Sequence, residues 1–112
     1  MSRVLIIGEH ADGHLNQSTA RCVACAVAID PGAIEIIVLG ADTAAVAAEA
    51  AALIGVAGVL TMTRPANSRA LAAVLAPQIA AVAADYDYVL APSTTFGKDL
   101  LPRVAALLGV PQ

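Results

Sequence analysis

The sequence predicts a three-layer α/β/α domain built on a parallel, doubly wound sheet. Three observations carry this. Short apolar runs rich in Val, Ile and Leu alternate with longer helical stretches, four times in 112 residues. The connections are short, so successive strands run parallel with a helix at each crossover. Aromatic residues make up 3% against 59% hydrophobic. The core is therefore Ala, Val, Leu and Ile, small side chains that let helices lie close on a sheet while each buries little area.

The elements follow in order. "RVLIIG" (Arg3–Gly8) has the continuous apolar character of a fully buried strand. "EHADGHLNQ" reads as a polar loop. Ser18 to Ile29 reads as a helix with Cys22, Cys25, Ala26 and Ile29 on one face, stopped by Asp30-Pro31-Gly32. "IEIIVLG" (Ile34–Gly40) is the second strand. Asp42 is placed to cap a helix running to about Ile54, with Gly55 ending it. "GVLTM" (Gly58–Met62) is a shorter third strand. Arg64-Pro65-Ala66-Asn67 is a turn, and a helix from about Ser68 carries Leu71, Leu75, Ile79 and Val82 on one stripe. Pro77 is expected to kink that helix or restart it. "YDYVLAP" (Tyr86–Pro92) is the fourth strand. The last helix is expected from about Phe96 to Leu108, with Gly109 ending it and Pro102 an early irregularity.

Doubly wound sheets place strand 1 in the middle, beside strands 2 and 4, and bind ligands outside the carboxyl ends where the winding reverses. Two polar loops fall there: "GEHADGHLNQST" after strand 1 and "APSTTFGK" after strand 4. The closing "GVPQ" reads as a turn from a helix into a further strand. Strand 4 is then an apolar sheet edge, which natural proteins rarely leave bare. A partial domain, or self-association through that edge, is expected.

Composition excludes several classes of function. The net charge is −3 and the six basic residues are scattered, so no nucleic-acid surface is expected. Apolar stretches break well before the ~20 residues of a membrane span. "VLIIG" behind Met1-Ser2-Arg3 is too short for a signal segment, so a cytoplasmic location is expected. Cys22 and Cys25, as "CVAC", are the only cysteines. A redox Cys-x-x-Cys sits at a helix start, whereas this one lies inside a helical run and reads as two small buried hydrophobes. Zinc needs two further ligands. His10 and His14 flank a loop, and no metal site is expected. The pairs Glu9 with Asp12 and Asp85 with Asp87 read as solvated carboxylates, and Arg103 as a surface ion pair.

"LAPSTTFGKDLLPRVAALLG" (Leu90–Gly109) raises a sharper question, because it runs strand, small polar turn, Gly-Lys, helix. A phosphate loop needs G-x-x-x-x-G-K-[ST]. Here Pro92, next to Ala91, stands where the first glycine belongs and Asp99 at the metal-binding hydroxyl, where it repels phosphate. Two readings stay open. Ser93, Thr94, Thr95, Gly97 and Lys98 form a weak anion or nucleotide site at a helix start, or Thr94 or Thr95 simply caps the helix while Asp99 favours its positive end. No Gly-x-Gly-x-x-Gly follows strand 1, so a dinucleotide fingerprint is absent, and no Ser-His-Asp order stands out.

"VLIIGEH", "GVAGVLT", "DYDYVLAP" and "LAPSTTFGKDLLPRVAALLGVPQ" together resemble the alpha subunit of electron transfer flavoprotein, across essentially all 112 residues. Asp99 is an accepted variant of that family's closing string; Arg21 and Cys22 stand where a more polar Asn/Thr pair is common. The resemblance implies a nucleotide-hydrolase-like (Rossmann-like) fold. It implies that residues 1–112 are part of the N-terminal α/β domain, with the C-terminal FAD-binding domain absent. It further implies a bacterial heterodimer with a beta subunit that carries electrons by FAD from dehydrogenases, including those of fatty acid oxidation, to a quinone oxidoreductase. Such a protein is an electron carrier rather than a catalyst. No FAD ligand is carried over to this chain, and no cofactor is expected on it. The other reading is a stand-alone nucleotide-binding module of the universal-stress type, but its late G-x-x-G…G-[ST] phosphate signature is missing here.

Overall fold

The computed structural model describes residues 2–29 and 32–110. Met1, the expected helix stop at Asp30-Pro31, and the closing Pro111-Gln112 lie outside the described residues, as does the side chain of Ile29.

A central sheet is formed by β1 (Arg3–Ile7), β4 (Ala33–Gly40), β5 (Gly58–Thr63) and β6 (Tyr88–Leu90), in the order β5-β4-β1-β6. Every pairing is parallel, with Leu5 opposite Glu35 and Val89, and Ile37 opposite Leu60. The expected arrangement, strand 1 flanked by strands 2 and 4, is therefore observed. Side chains of the two central strands alternate between faces. Leu5, Ile7, Ile37 and Leu39 meet α3 (Ala72–Ala83) and α4 (Thr95–Leu108) through Leu75, Ala76, Ile79, Ala83, Leu100 and Val104. Val4, Ile6, Ile34, Ile36 and Val38 meet α1 (Gln17–Ile29) and α2 (Ala44–Ala51) through Val23, Ala26, Val46 and Ala50. Both faces of each central strand are buried over Val4–Ile7 and Ile36–Leu39, which is why those stretches are apolar without a break.

Several elements differ from the sequence reading. Cys25 is exposed and Cys22 is half-buried, because Thr19, Val23 and Ala26 form the buried face of α1. Helix α2 ends at Ala51, not Ile54, and Ile54 is 96% exposed. The residue at its N-cap is Thr43, whose hydroxyl turns to Thr63 Oγ1 at 2.7 Å; Asp42 Oδ1 instead accepts from the Ala44 N–H at 3.3 Å. A 3-10 helix (Pro65–Arg69) occupies the start expected for α3. It is tied down by Asn67, 2% exposed, whose Nδ2 donates to the Met62 carbonyl at 2.9 Å and to Gln78 Oε1 at 3.0 Å.

Neither Pro77 nor Pro102 divides its helix. Both are exposed, so the backbone carbonyl each leaves without a helical partner opens toward water rather than into the core. The fourth strand is only three residues long, and its outer edge has no partner strand among the described residues.

Candidate functional site

The winding reverses between β1 and β6, and the chain leaves both strands at the same end of the sheet. Gly8 and Glu9 follow β1, and Ala91 to Thr94 follow β6. The two connections meet through one side-chain pair. Thr94 Oγ1 donates to Glu9 Oε1 at 2.6 Å. The same hydroxyl accepts from the Gly97 N–H at 3.2 Å, as the N-cap of α4. Its one proton and one acceptor direction are thus assigned, the proton going to the carboxylate.

Glu9 is itself fixed on three sides. Its N–H donates to Thr19 Oγ1 at 3.1 Å, and Thr19 is fully buried. Its carbonyl accepts from the Asn16 N–H at 2.8 Å. The carboxylate therefore stands at the positive end of a 14-residue helix, where negative charge is favoured.

Gly97 is required by packing. A Cβ there would overlap the carbonyl oxygen of Pro92, which is backbone and cannot move aside. Of the motif residues, Thr94 and Gly97 come together in the cap; Ser93, Thr95 and Lys98 are exposed.

The polar loop after β1 contains a short hairpin, β2 (His10–Ala11) and β3 (His14–Leu15), turned at Asp12-Gly13 with φ of 54° and 77°. Positive φ at both central residues matches the type of turn that Asp-Gly favours. The hairpin is anchored at both ends. His10 Nε2 donates to the Leu39 carbonyl at 2.7 Å. That close approach depends on Gly40, where a Cβ would stand 3.2 Å from His10 Cε1. At the other end, the Leu15 N–H donates to Glu49 Oε2 at 2.8 Å, and His14 Nδ1 lies 3.4 Å from Glu49 Oε1. The Leu15 N–H holds the Glu49 carboxyl below the usual carboxylate range against the opposing effect of burial, with lesser help from His14.

Between hairpin and helices lies a small cavity of about 170 Å³, lined by Gly8, Glu9, His10, Leu39, Ala70, Leu75 and Phe96. Ala70 adopts φ of 52°, a left-handed conformation uncommon for a residue with a Cβ. The other expected groups lie apart. Asp12 is at the exposed hairpin tip. Asp85 and Asp87 are at the opposite end of the sheet, where Asp87 Oδ2 accepts from the Arg3 N–H at 2.8 Å. Arg103 Nε donates to Asp99 Oδ1 at 3.5 Å on the surface of α4, the ion pair expected of it. Among the described residues, no three His, Cys, Asp or Glu side chains are grouped to hold a metal, and no helix is long and apolar enough to cross a membrane.

Sequence reasoning left Glu9 as a solvated acid and the hairpin as loop. The Asp-Gly pair was a usable signal for the hairpin. Nothing local marks Glu9, because its partner lies 85 positions away.

A second groove, of about 520 Å³, runs along the outer side of β6. Its lining includes Ala83 of α3, Asp87, Val89, Leu101 and Leu108, together with half-exposed Val110.

Fold and loops together define a doubly wound parallel α/β domain whose switch-point loops are tied to each other by an internal carboxylate. The electron transfer flavoprotein domain family matches residues 4–112, and the chain belongs to that family. Its relatives include the electron transfer flavoprotein alpha subunit of Pseudomonas aeruginosa, 46% identical over 97% of this chain and 35% of that protein. The alpha subunit of Paracoccus denitrificans is 42% identical over 96% of the chain and 34% of its own length. The mitochondrial alpha subunit of Dictyostelium discoideum is 30% identical over 99% and 33%. The chain spans about a third of the length of the curated relatives it matches.

Proposed function

We propose that residues 1–112 serve as part of the N-terminal scaffold of an electron transfer flavoprotein alpha subunit. The observation that supports this most is the family match over residues 4–112 together with its share, about a third, of the alpha-subunit relatives. On this reading the chain contacts a beta subunit. The heterodimer takes electrons from dehydrogenases and passes them, through FAD, to a quinone oxidoreductase or similar acceptor in a bacterial cytoplasm. FAD is held by a C-terminal domain outside these 112 residues. Ser93, Thr94, Thr95, Gly97 and Lys98 then serve as a capped strand-to-helix turn. Support comes from the Thr94 hydroxyl, bonded to Glu9 and Gly97, and from the Glu9 charge, which opposes an incoming phosphate.

Co-expression with the beta subunit of Pseudomonas aeruginosa electron transfer flavoprotein tests the subunit contact. Co-elution of the two chains on size exclusion is the expected result; independent elution, with each chain folded by circular dichroism, contradicts it.

For the 112-residue chain by itself, the groove along β6 supports self-association. Two copies related by a two-fold axis pair β6 antiparallel about Val89, each Tyr88 opposite a Leu90, and cover each other's apolar groove. Light scattering is expected to show mass rising from monomer toward dimer with concentration. A strict monomer throughout contradicts this.

A further inference from the structure

Cys22 and Cys25 are three positions apart on α1, so their side chains are neighbours on the helix surface. Cys25 is exposed and Cys22 half-buried at the margin of the core, which leaves the pair open to solvent from one side. Ser18 lies on the same stripe, one turn before Cys22, and its Oγ is buried without a hydrogen-bond partner. A hydroxyl there has a proton to donate and nothing to receive it, a state that buried polar groups rarely keep.

Helical spacing decides what two such thiols can do. Neighbours three apart have Cβ atoms about 5–6 Å apart. A disulfide needs about 3.5–4.5 Å, so direct oxidation requires the helix to distort. A single atom placed between the sulfurs needs no such movement. Zinc and iron–sulfur clusters require four ligands, and no third His, Cys, Asp or Glu joins this pair among the described residues. Soft thiolate ligands select monovalent copper, which is satisfied by two sulfurs in a line.

We propose that Cys22 and Cys25 form a two-coordinate site for Cu(I), with the Ser18 hydroxyl donating to a bound thiolate. Binding forms two Cu–S bonds and releases one proton from each thiol. Copper enters and remains as Cu(I), so no electron is transferred.

Anaerobic titration of the purified chain with bathocuproine-buffered Cu(I) tests the assignment, with parallel titrations by Zn(II). One Cu(I) per chain is expected, with affinity falling at least tenfold in Cys25→Ser and in Cys22→Ser, and several-fold in Ser18→Ala. Zn(II) is expected to bind far more weakly. The exposed Cys25→Ser variant keeps the wild-type melting temperature, so its loss of copper is read on a folded protein. No retention of Cu(I) by the wild type, unchanged retention by Cys25→Ser, or Zn(II) binding as tight as Cu(I) would each overturn the proposal.

Discussion

Thr94 is the residue on which both switch-point loops depend. Its hydroxyl caps α4 through the Gly97 N–H and donates to Glu9 across the fold. Thr94→Ala removes the cap and is expected to cost about 1–2 kcal/mol in urea unfolding. Thr94→Ser keeps the hydroxyl and should recover most of that. In a double-mutant cycle with Glu9→Ala, the coupling should be about 0.5 kcal/mol or more, whereas purely local capping gives none. Gly97 offers a test of opposite sign to helix propensity. In an open helix position, Gly→Ala gains about 1 kcal/mol. At Gly97 the added methyl overlaps the Pro92 carbonyl oxygen, so Gly97→Ala is expected to lose at least about 2 kcal/mol. A gain in melting temperature would show that the close approach of α4 to the preceding turn is not a constraint. The cap at Thr94 was legible in the sequence as one of two neighbouring threonines. The carboxylate it binds was not, since no local pattern reports a contact between residues so far apart.

At the scale of elements, α3 absorbs Pro77 without a break from Ala72 to Ala83. Periodicity placed Leu71, Leu75, Ile79 and Val82 on one stripe; Leu75 and Ile79 are buried and Val82 partly so, whereas Leu71 precedes the helix and is 50% exposed, and the kink was expected from propensity alone. Proline's missing N–H falls on an exposed side, where the opposite carbonyl can bond to water. Pro77→Ala should therefore stabilise by about 2 kcal/mol, the helix-interior cost of proline less the entropy it removes from the unfolded chain. The N-terminal end of the sheet holds a second cluster. Arg3 lies 4.5 Å above the Tyr86 ring and donates through Nη2 to Glu35 Oε1 at 3.0 Å; the Tyr86 hydroxyl donates to the same oxygen at 2.9 Å.

Burial first, and the Glu35 hydrogen bond second, raise the Tyr86 hydroxyl above its ordinary range. A raised tyrosine favours the neutral form in the fold. Its stabilisation is complete below about pH 10, the unfolded value, and is lost as pH rises through the folded value. Tyr86→Phe is expected to be about 1 kcal/mol less stable than wild type near neutrality. That difference should shrink as pH climbs past about 10. A constant difference across the alkaline range would contradict the linkage. Sequence placed Tyr86 in a strand; in the structure it precedes β6, with its ring under Arg3 and its hydroxyl on Glu35.

For the whole molecule, the strand order was legible because four β-α units with short crossovers leave few ways to wind a sheet. Both cores follow from the apolar runs Val4–Ile7 of β1 and Ile36–Leu39 of β4. The short hairpin and the depth of each strand were less legible, because Asp-Gly turns and side-chain anchors, rather than periodicity, decide them. The family's closing string falls at the switch point, where this architecture commonly places ligands. Here Glu9 supplies a negative group at that position, and the Thr94 hydroxyl is committed to it. We propose that the Thr94–Glu9 pair closes the switch point, so that flavin and nucleotide are held elsewhere. Calorimetric titration of the folded 112-residue chain with FAD and with AMP tests it most directly. No saturable heat up to millimolar ligand is predicted for either; a dissociation constant in the micromolar range for FAD or AMP would contradict it.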